Sequence, residues 1–406
     1  MPNFAGAWTL NQQAFARGQN LWPALPSAPT IGTATATSSS TATVAFTAPT
    51  NTGYPSTVTY TATSNPSGFT GTSATSPITV TGLTASTSYT FTVTATNAAG
   101  TGPASAASNT ITTPAGLPQR AIFGYGETGV AVSMTNLVSN TGVVATDTAG
   151  VGTARGSLAA SLYGGDKAIF GYGYTGSVNV SITNLVSNTG VVSANTTGVG
   201  TARAYLAAAG YGTDKAIFGY GVVSSASQIT NLVSNTGVVA ADVTSANTAR
   251  GGLAAATYGT DKAIFGYGTA DSGASQISST NLVSNTGVVA ASTAGVGTAR
   301  SYLAAATYGS GQAIFGYGYT GSASSLTNKV SNTGVVATDT AGVGTTRLNT
   351  AAAGYGGDKA IFGYGRNNSF NAISVTNLVS NTGVVASDTT GVGTARFALA
   401  AASYST

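Results

Sequence analysis

The 406-residue chain contains no cysteine and no histidine. The first absence removes disulfide staples and thiol nucleophiles. The second removes the commonest general base and the commonest metal ligand. Charge is scarce as well: 6% of residues are Asp, Glu, Lys or Arg, against about a quarter in ordinary soluble domains. The net charge of +4 includes no run of Lys or Arg, so the electrostatic footprint of a nucleic-acid binder is missing. No apolar run approaches the roughly 18 residues of a membrane span. The opening MPNFAGAWTLNQQAFARGQNLWPALP has no basic stretch leading into an apolar one, which predicts no secretory signal. The ten carboxylates show no close pair of glycosidase type and no metal-holding cluster, and there is no phosphate loop or serine elbow. The expectation is a non-enzyme without metal or cofactor.

What is present is unevenly spread. All eleven prolines lie at or before Pro118, both tryptophans near the start, and Arg17 is the sole charged residue before Arg120. Three segments follow: 1–25, 26–115 and 116–406. The first predicts one short helix from Thr9 to Arg17, stopped by Gly18. Trp8, Leu10, Phe15 and Trp22 would give it an apolar surface in search of a partner, either its own next domain or another protein to which it docks. Residues 26–115 consist of short runs alternating at period two, such as TVTYTAT and SYTFTVTATN, separated by turn residues. That pattern predicts an antiparallel sandwich.

The stretch LTASTSYTFTVTATNAAGTGPAS resembles fibronectin type III domains. Leu83 and Tyr89 stand where that family has its tyrosine corner, and Gly100, Gly102 and Pro103 match its last hairpin. Phe46 stands where the family's core tryptophan is expected. The resemblance implies a spacer or weak glycan binder.

From Ala121 onward AIFGYG recurs six times, at Ala121, Ala168, Ala216, Ala263, Ala313 and Ala360. A unit of about 45 to 50 residues repeated six times points to a propeller or related array. Each copy offers four strand candidates: KAIFGYG, SITNLVSN, GVVSAN and AYLAAAGYG in the second copy. KAIFGYG fits a strand buried between neighbours, and LAAA fits the crowded axis. The first copy has no LAAA strand before it and the last has no KAIFGYG after it, so these two ends should pair and close a ring. Asp-Lys pairs such as Asp166 and Lys167 belong in solvated hairpins. The order of Arg203, small-residue strand, Gly-Tyr-Gly and KAIFGYG resembles a kelch repeat, although TNLVSNTGVV replaces that family's later Tyr and Trp. The fold expected is therefore all-β: a fibronectin type III-like sandwich, then a six-bladed kelch-like propeller, behind a short N-terminal docking segment.

Two recurring features admit both structural and binding readings. Arg155, Arg203, Arg250, Arg300, Arg347 and Arg396 could bridge carbonyls between blades or ring an anion. Asn140 and its five equivalents in SNTG could make Asx turns or glycan contacts. The copies differ most just after AIFGYG, from ETGVAVSM in the first to RNNSFNAISV in the last. Those loops should share one rim and carry any specificity. Tyr174, Tyr319, Arg366, Asn367, Asn368 and Phe370 are the candidate ligand-binding residues there, with aromatic faces for sugars beside polar groups.

The opening GAWTLNQQAFARGQNLWPALPSAPTIGTATA is similar to the starts of structural proteins of bacteriophages. That resemblance implies a virion protein, assembled in the host cytoplasm and working outside the cell. It would be a tail fibre or host-contacting appendage, held to other virion proteins by its N-terminal segment. A host surface glycan or protein would be the ligand, with neither nucleic acid nor membrane insertion involved. The same resemblance allows a homo-oligomer in the particle, and it allows the alternative of a capsid decoration protein with a purely structural role.

Overall fold

The computed structural model describes residues 10–18, 23–37, 41–84, 87–113, 119–245, 247–270 and 275–405. The protein is all-β apart from one helix, α1 (Leu10–Gly18), and it divides into two compact units, Met1–Gly116 and Leu117–Thr406.

Helix α1 runs on to Gly18, the residue expected to stop it, and Thr9 lies outside the described residues. Phe15 on it is 68% exposed. Trp8, Trp22 and the Leu10 side chain lie outside the described residues.

The rest of the first unit contains β1 (Thr30–Ala36), β2 (Thr41–Thr47), β3 (Thr59–Asn65), β4 (Thr70–Ser73), β5 (Ile78–Thr81), β6 (Ser88–Asn97), β7 (Gly100–Thr101) and β8 (Ile111–Thr112). One sheet has the order β1-β2-β5, the other β4-β3-β6-β7 with β8 also pairing β6. Period-two alternation sends Val44, Phe46, Tyr60, Phe91 and Val93 into one core, while the intervening Thr residues of β2 and β6 face outward. Phe46 packs on Tyr60 with ring centroids 4.5 Å apart. At the corner before β6, the Tyr89 hydroxyl accepts a hydrogen bond from the Thr84 N–H at 3.0 Å, and Leu83 and Tyr89 are both buried. Asn97 supplies a polar clasp at the other end, donating to the carbonyls of Ala24 and Thr52.

The second unit is built from six antiparallel sheets. Each has a central strand carrying AIFG: Gln119–Gly124, Lys167–Gly171, Lys215–Gly219, Lys262–Gly266, Gln312–Gly316 or Lys359–Gly363. On one side lies an inner strand: Ala159–Tyr163, Ala207–Tyr211, Ala254–Tyr258, Ala304–Tyr308, Ala351–Tyr355 or Ala400–Ser405. On the other lies an outer strand beginning at Thr135, Thr183, Ile229, Thr280, Thr327 or Thr376. Each inner strand touches two others, and the chain of contacts returns to its start. The last strand, Ala400–Ser405, pairs with the first, Gln119–Gly124, from Ala400 opposite Gly124 to Ser405 opposite Gln119. This is the pairing expected of the two incomplete end copies.

Two circuits of backbone hydrogen bonds lace the inner strands. At the strand starts, Tyr205 N donates to Ser157 O, Gly252 to Tyr205, Tyr302 to Gly252, Asn349 to Tyr302, Ala398 to Asn349 and Ser157 to Ala398, all at 2.7–3.0 Å. These six residues all have positive φ, between 52° and 61°. At the other end the hairpins form a second circuit: Gly164 donates to Asp214, Gly212 to Asp261, Gly259 to Gly311, Gly309 to Asp358, Gly356 to Gln119 and Ser405 to Asp166. Between the circuits, inner-strand Ala residues line a cavity of about 390 Å³ with Thr257, Thr307 and Ser403. The hydroxyls of these last three donate to the preceding copy's carbonyls at Gly210, Thr257 and Gly354.

The invariance of AIFGYG has a cause at each letter. Ala, Ile and Phe are fully buried because every central strand has a sheet on both faces. The glycine that closes the strand lies under the next copy's phenylalanine: a Cβ on Gly171 would come within 2.6 Å of the Phe218 ring. The tyrosine takes positive φ, 61° to 64° across the six copies. Its ring meets the next phenylalanine edge-on, as Tyr172 does Phe218 at 5.1 Å.

The six repeated arginines are structural bridges. Each is fully buried and stacks on its own copy's tyrosine, with 4.3 Å from the Arg203 guanidinium to the Tyr172 ring centre. Arg203 reaches into the next copy, donating through Nε to Tyr220 O at 2.8 Å and through an Nη to Asn231 Oδ1 at 2.7 Å. Arg396 does the same from the sixth copy to the first, to Tyr125 O and Asn136 Oδ1.

Two details depart from the sequence reading. Five of the six sheets have three strands rather than four, and the GVV run is reduced to isolated bridges such as Val186 with Val192 and Thr183 with Thr196. The buried Asn184 side chain stands between those bridges, donating to Ser193 O and Asn195 Oδ1, so an amide replaces part of the ladder. In SNTG the turn is closed by the serine, not by Asn140 and its equivalents: Ser139 Oγ accepts from the N–H groups of Thr141 and Val143 at 3.3 and 3.0 Å. The serine hydroxyl already faces those two donors, so no Asx turn is needed.

Candidate functional site

The loops that differ between copies begin where the central strands end, beside the positive-φ circuit. Their first residues, Glu127, Tyr174, Val222, Thr269, Tyr319 and Arg366, bridge Phe397, Gly156, Ala204, Gly251, Ser301 and Leu348 respectively. All six loops therefore leave from one end, opposite the hairpins. The circuit residues Ser157, Tyr205, Gly252, Tyr302, Asn349 and Ala398 form a crown at the centre of this face and line a small cavity of about 70 Å³.

The six sequence candidates divide into separate groups on this face. Tyr174 walls a groove of about 340 Å³ with Val178, Asn179, Tyr205 and Val223, and none of the other five candidates shares it. Tyr319 occupies the same position three copies away. Arg366 lies between two rings, 5.0 Å from the centre of Phe370 and 4.9 Å from that of Phe397. Asn367 Oδ1 accepts from the N–H groups of Ser369 and Asn371, and Asn368 Oδ1 accepts from Ala323 N in the neighbouring loop. Both amide oxygens are thus used to shape the loop. Phe370 is 62% exposed and offers the face's most accessible ring among these residues.

The sequence candidates omitted the crown. Tyr205 and Tyr302 meet edge-on at 5.7 Å. Burial raises the Tyr302 phenol above its ordinary range, the neighbouring Tyr205 adds to this, and Arg366 opposes it. Burial also raises the Glu127 carboxyl, again against the pull of Arg366. A signal for these positions existed in the sequence. The dipeptide between the constant Arg and the small-residue strand varies from copy to copy: Gly-Ser, Ala-Tyr, Gly-Gly, Ser-Tyr, Leu-Asn and Phe-Ala.

Among the described residues there is no cluster of three His, Cys, Asp or Glu side chains and no helix long and apolar enough to cross a membrane. The face is suited to binding through rings, hydroxyls and amides.

A family match lies in the first unit. The sequence profile of the fibronectin type III domain covers residues 27–111, the span whose corner holds the Thr84–Tyr89 hydrogen bond. Residues 27–111 are a fibronectin type III domain. No curated protein matches the chain. The fibronectin domain has no charged residue, so its surface is kept wet by Thr, Ser and Asn alone.

Proposed function

We propose that the second unit is a six-bladed, kelch-like propeller, and that the chain is a phage virion protein: a tail fibre or host-contacting appendage. The propeller reading is supported by the return pairing of Ala400–Ser405 with Gln119–Gly124 and by the two closed hydrogen-bond circuits. The kelch-like part rests on the bridging arginines. The host-contact reading rests on one observation above all. The variable loops gather on one face of a constant scaffold, opposite the hairpins. Specificity is commonly carried by such loops on a rigid frame. The N-terminal segment, with Trp8, Leu10, Phe15 and Trp22, would dock the protein to other virion proteins. The loop face would meet a host surface glycan or protein.

Capsid decoration is the second reading. It is favoured by Asn367 and Asn368, whose amide oxygens serve their own loops rather than a free surface. Antibody against residues 119–405, imaged on purified particles, separates the two. Label on the tail or a fibre tip supports the appendage, label over the capsid supports decoration, and particles without label overturn the virion assignment. Deleting residues 1–25 should leave folded protein that is missing from particles.

A further inference from the structure

We infer that the groove in the second copy, between Tyr174 and Tyr205, is a subsite for a neutral hexopyranose unit; this rests on the loop face being the host-contacting surface. The six copies offer six versions of the same two positions, the loop entry and the crown. They are Glu127 with Ser157, Tyr174 with Tyr205, Val222 with Gly252, Thr269 with Tyr302, Tyr319 with Asn349, and Arg366 with Ala398. The second copy alone has tyrosine at both. Both rings line one groove of about 340 Å³, within the range of small-ligand sites. They are 36% and 38% exposed, so each keeps a free face while its backbone is held by the fold.

The lining selects the class of ligand. Apart from the two phenols the groove holds Ser177, Val178, Asn179, Ala204, Val222 and Val223, with no acid or base to meet a charged group. Asn179 is fixed by donating to the carbonyls of Val222 and Val223 at 3.2 and 3.0 Å. Aromatic and valine surfaces suit the C–H face of a pyranose, and hydroxyl and amide groups beside them suit its rim of hydroxyls. Tyr302, edge-on to Tyr205, extends the aromatic surface over the crown toward a second sugar unit.

The repeat itself supplies variants that preserve the backbone. Val222 occupies the Tyr174 position in the third copy, and Ala398 occupies the Tyr205 position in the sixth with φ of 52° against 54°. The full-length protein, Tyr174→Val, Tyr205→Ala and the control Lys262→Ala, in a hairpin at the opposite end, are to be compared by saturation-transfer NMR. The probes are gluco-, galacto- and manno-configured neutral oligosaccharides, and binding to host envelope fractions is measured in parallel. The expected result is saturation of at least one sugar by the parent and the control, with affinity lower by about tenfold in each of the other two. Undiminished sugar binding by the double variant Tyr174→Val/Tyr205→Ala overturns the groove and leaves host contact standing. A parent that binds envelope protein but no neutral sugar overturns the ligand class alone. A parent that binds neither removes the host-contact reading and the groove with it.

Discussion

Strand β6 of the fibronectin domain alternates between buried and half-buried residues along its length, whereas the central strand of each repeat is buried without a break from Ala to Gly. The first pattern belongs to a sheet with one core face and one wet face. The second belongs to a sheet covered on both sides, an arrangement an antiparallel sheet reaches only when neighbours stack on each face. The contrast extends to polar groups. The fibronectin domain buries neutral ones, such as Asn97 and the Tyr89 hydroxyl, each bonded to nearby backbone. The repeat unit buries six arginines and uses them as ties between copies. A chain with few charges has thus placed six of its fourteen basic residues where water cannot reach, so the two units should respond differently to mutation and pH.

The sharpest way to break that contrast is to remove the return pairing of the last strand with the first. Deleting residues 399–406 removes the partner of Gln119–Gly124 and leaves a bare edge. Aggregation or a large fall in the melting temperature of the repeat unit is expected, with the fibronectin transition unchanged in calorimetry. A monomeric product melting as before would count against closure.

Arg396→Met tests one tie. It strips Tyr125 O and Asn136 Oδ1 of their donor and leaves the Tyr364 ring uncovered. A loss of about 3 kcal/mol or more is expected in chemical unfolding of the repeat unit. Arg17→Met, which changes the first unit's sole charge, should leave that transition unmoved.

Acid should separate the units next. Asp147, Asp242, Asp339 and Asp388 are partly buried, which by itself would raise their pKa. Hydrogen bonds from a threonine of the preceding copy and from a buried asparagine, with a nearby arginine, outweigh burial and hold all four below the usual range. A depressed folded pKa means that the stabilisation is present above the unfolded value, near about 3.9. It is lost as pH falls through the folded values. The repeat unit should therefore weaken in strong acid. The first unit, with no Asp or Glu, should hardly change. Replacing the four aspartates with Asn should flatten the acid limb of a melting-temperature profile, because Asn195 already fills this position in the second copy, where it accepts from Thr153 N and Asn184 Nδ2.

Smaller effects are expected from two further changes. Tyr89→Phe removes the acceptor of the Thr84 N–H in the fibronectin domain. It should cost about 1 to 2 kcal/mol there and nothing in the repeat unit. Lys262→Ala removes one end of a partly exposed pair, 2.8 Å from Asp261, and should leave the melting temperature of the repeat unit unchanged. A large fall would mean that the hairpin ions matter as much as the buried ones.

The sandwich was legible because its alternation is local: each Thr or Val reveals its face from its own neighbours in the chain. The six copies and the two incomplete ends were legible for a related reason, since repetition is a property of the text. The turn chemistry was less so. SNTG suggests an asparagine turn, and only the position of Ser139 Oγ shows which side chain closes it. The fourth strand looked like the others in sequence, yet a buried amide from the adjacent strand takes over part of its ladder. On the loop face, Tyr174 could be picked out as a variable aromatic. Tyr205 could be marked as variable from its own dipeptide, but its meeting with Tyr174, 31 positions earlier, depends on the return of the inner strand.

Sequence alone determined the composition of this protein's surface, its all-β character, the fibronectin domain and the sixfold period, because each follows from short-range pattern or from identity between copies. Tertiary structure alone decided where the arginines go. It also decided that the backbone circuits run unbroken through all six copies, and that two tyrosines out of nineteen share a groove. Those outcomes depend on contacts between residues as far apart as Arg396 and Asn136, which follow from the pairing of the last strand with the first and not from any stretch of sequence within the unit.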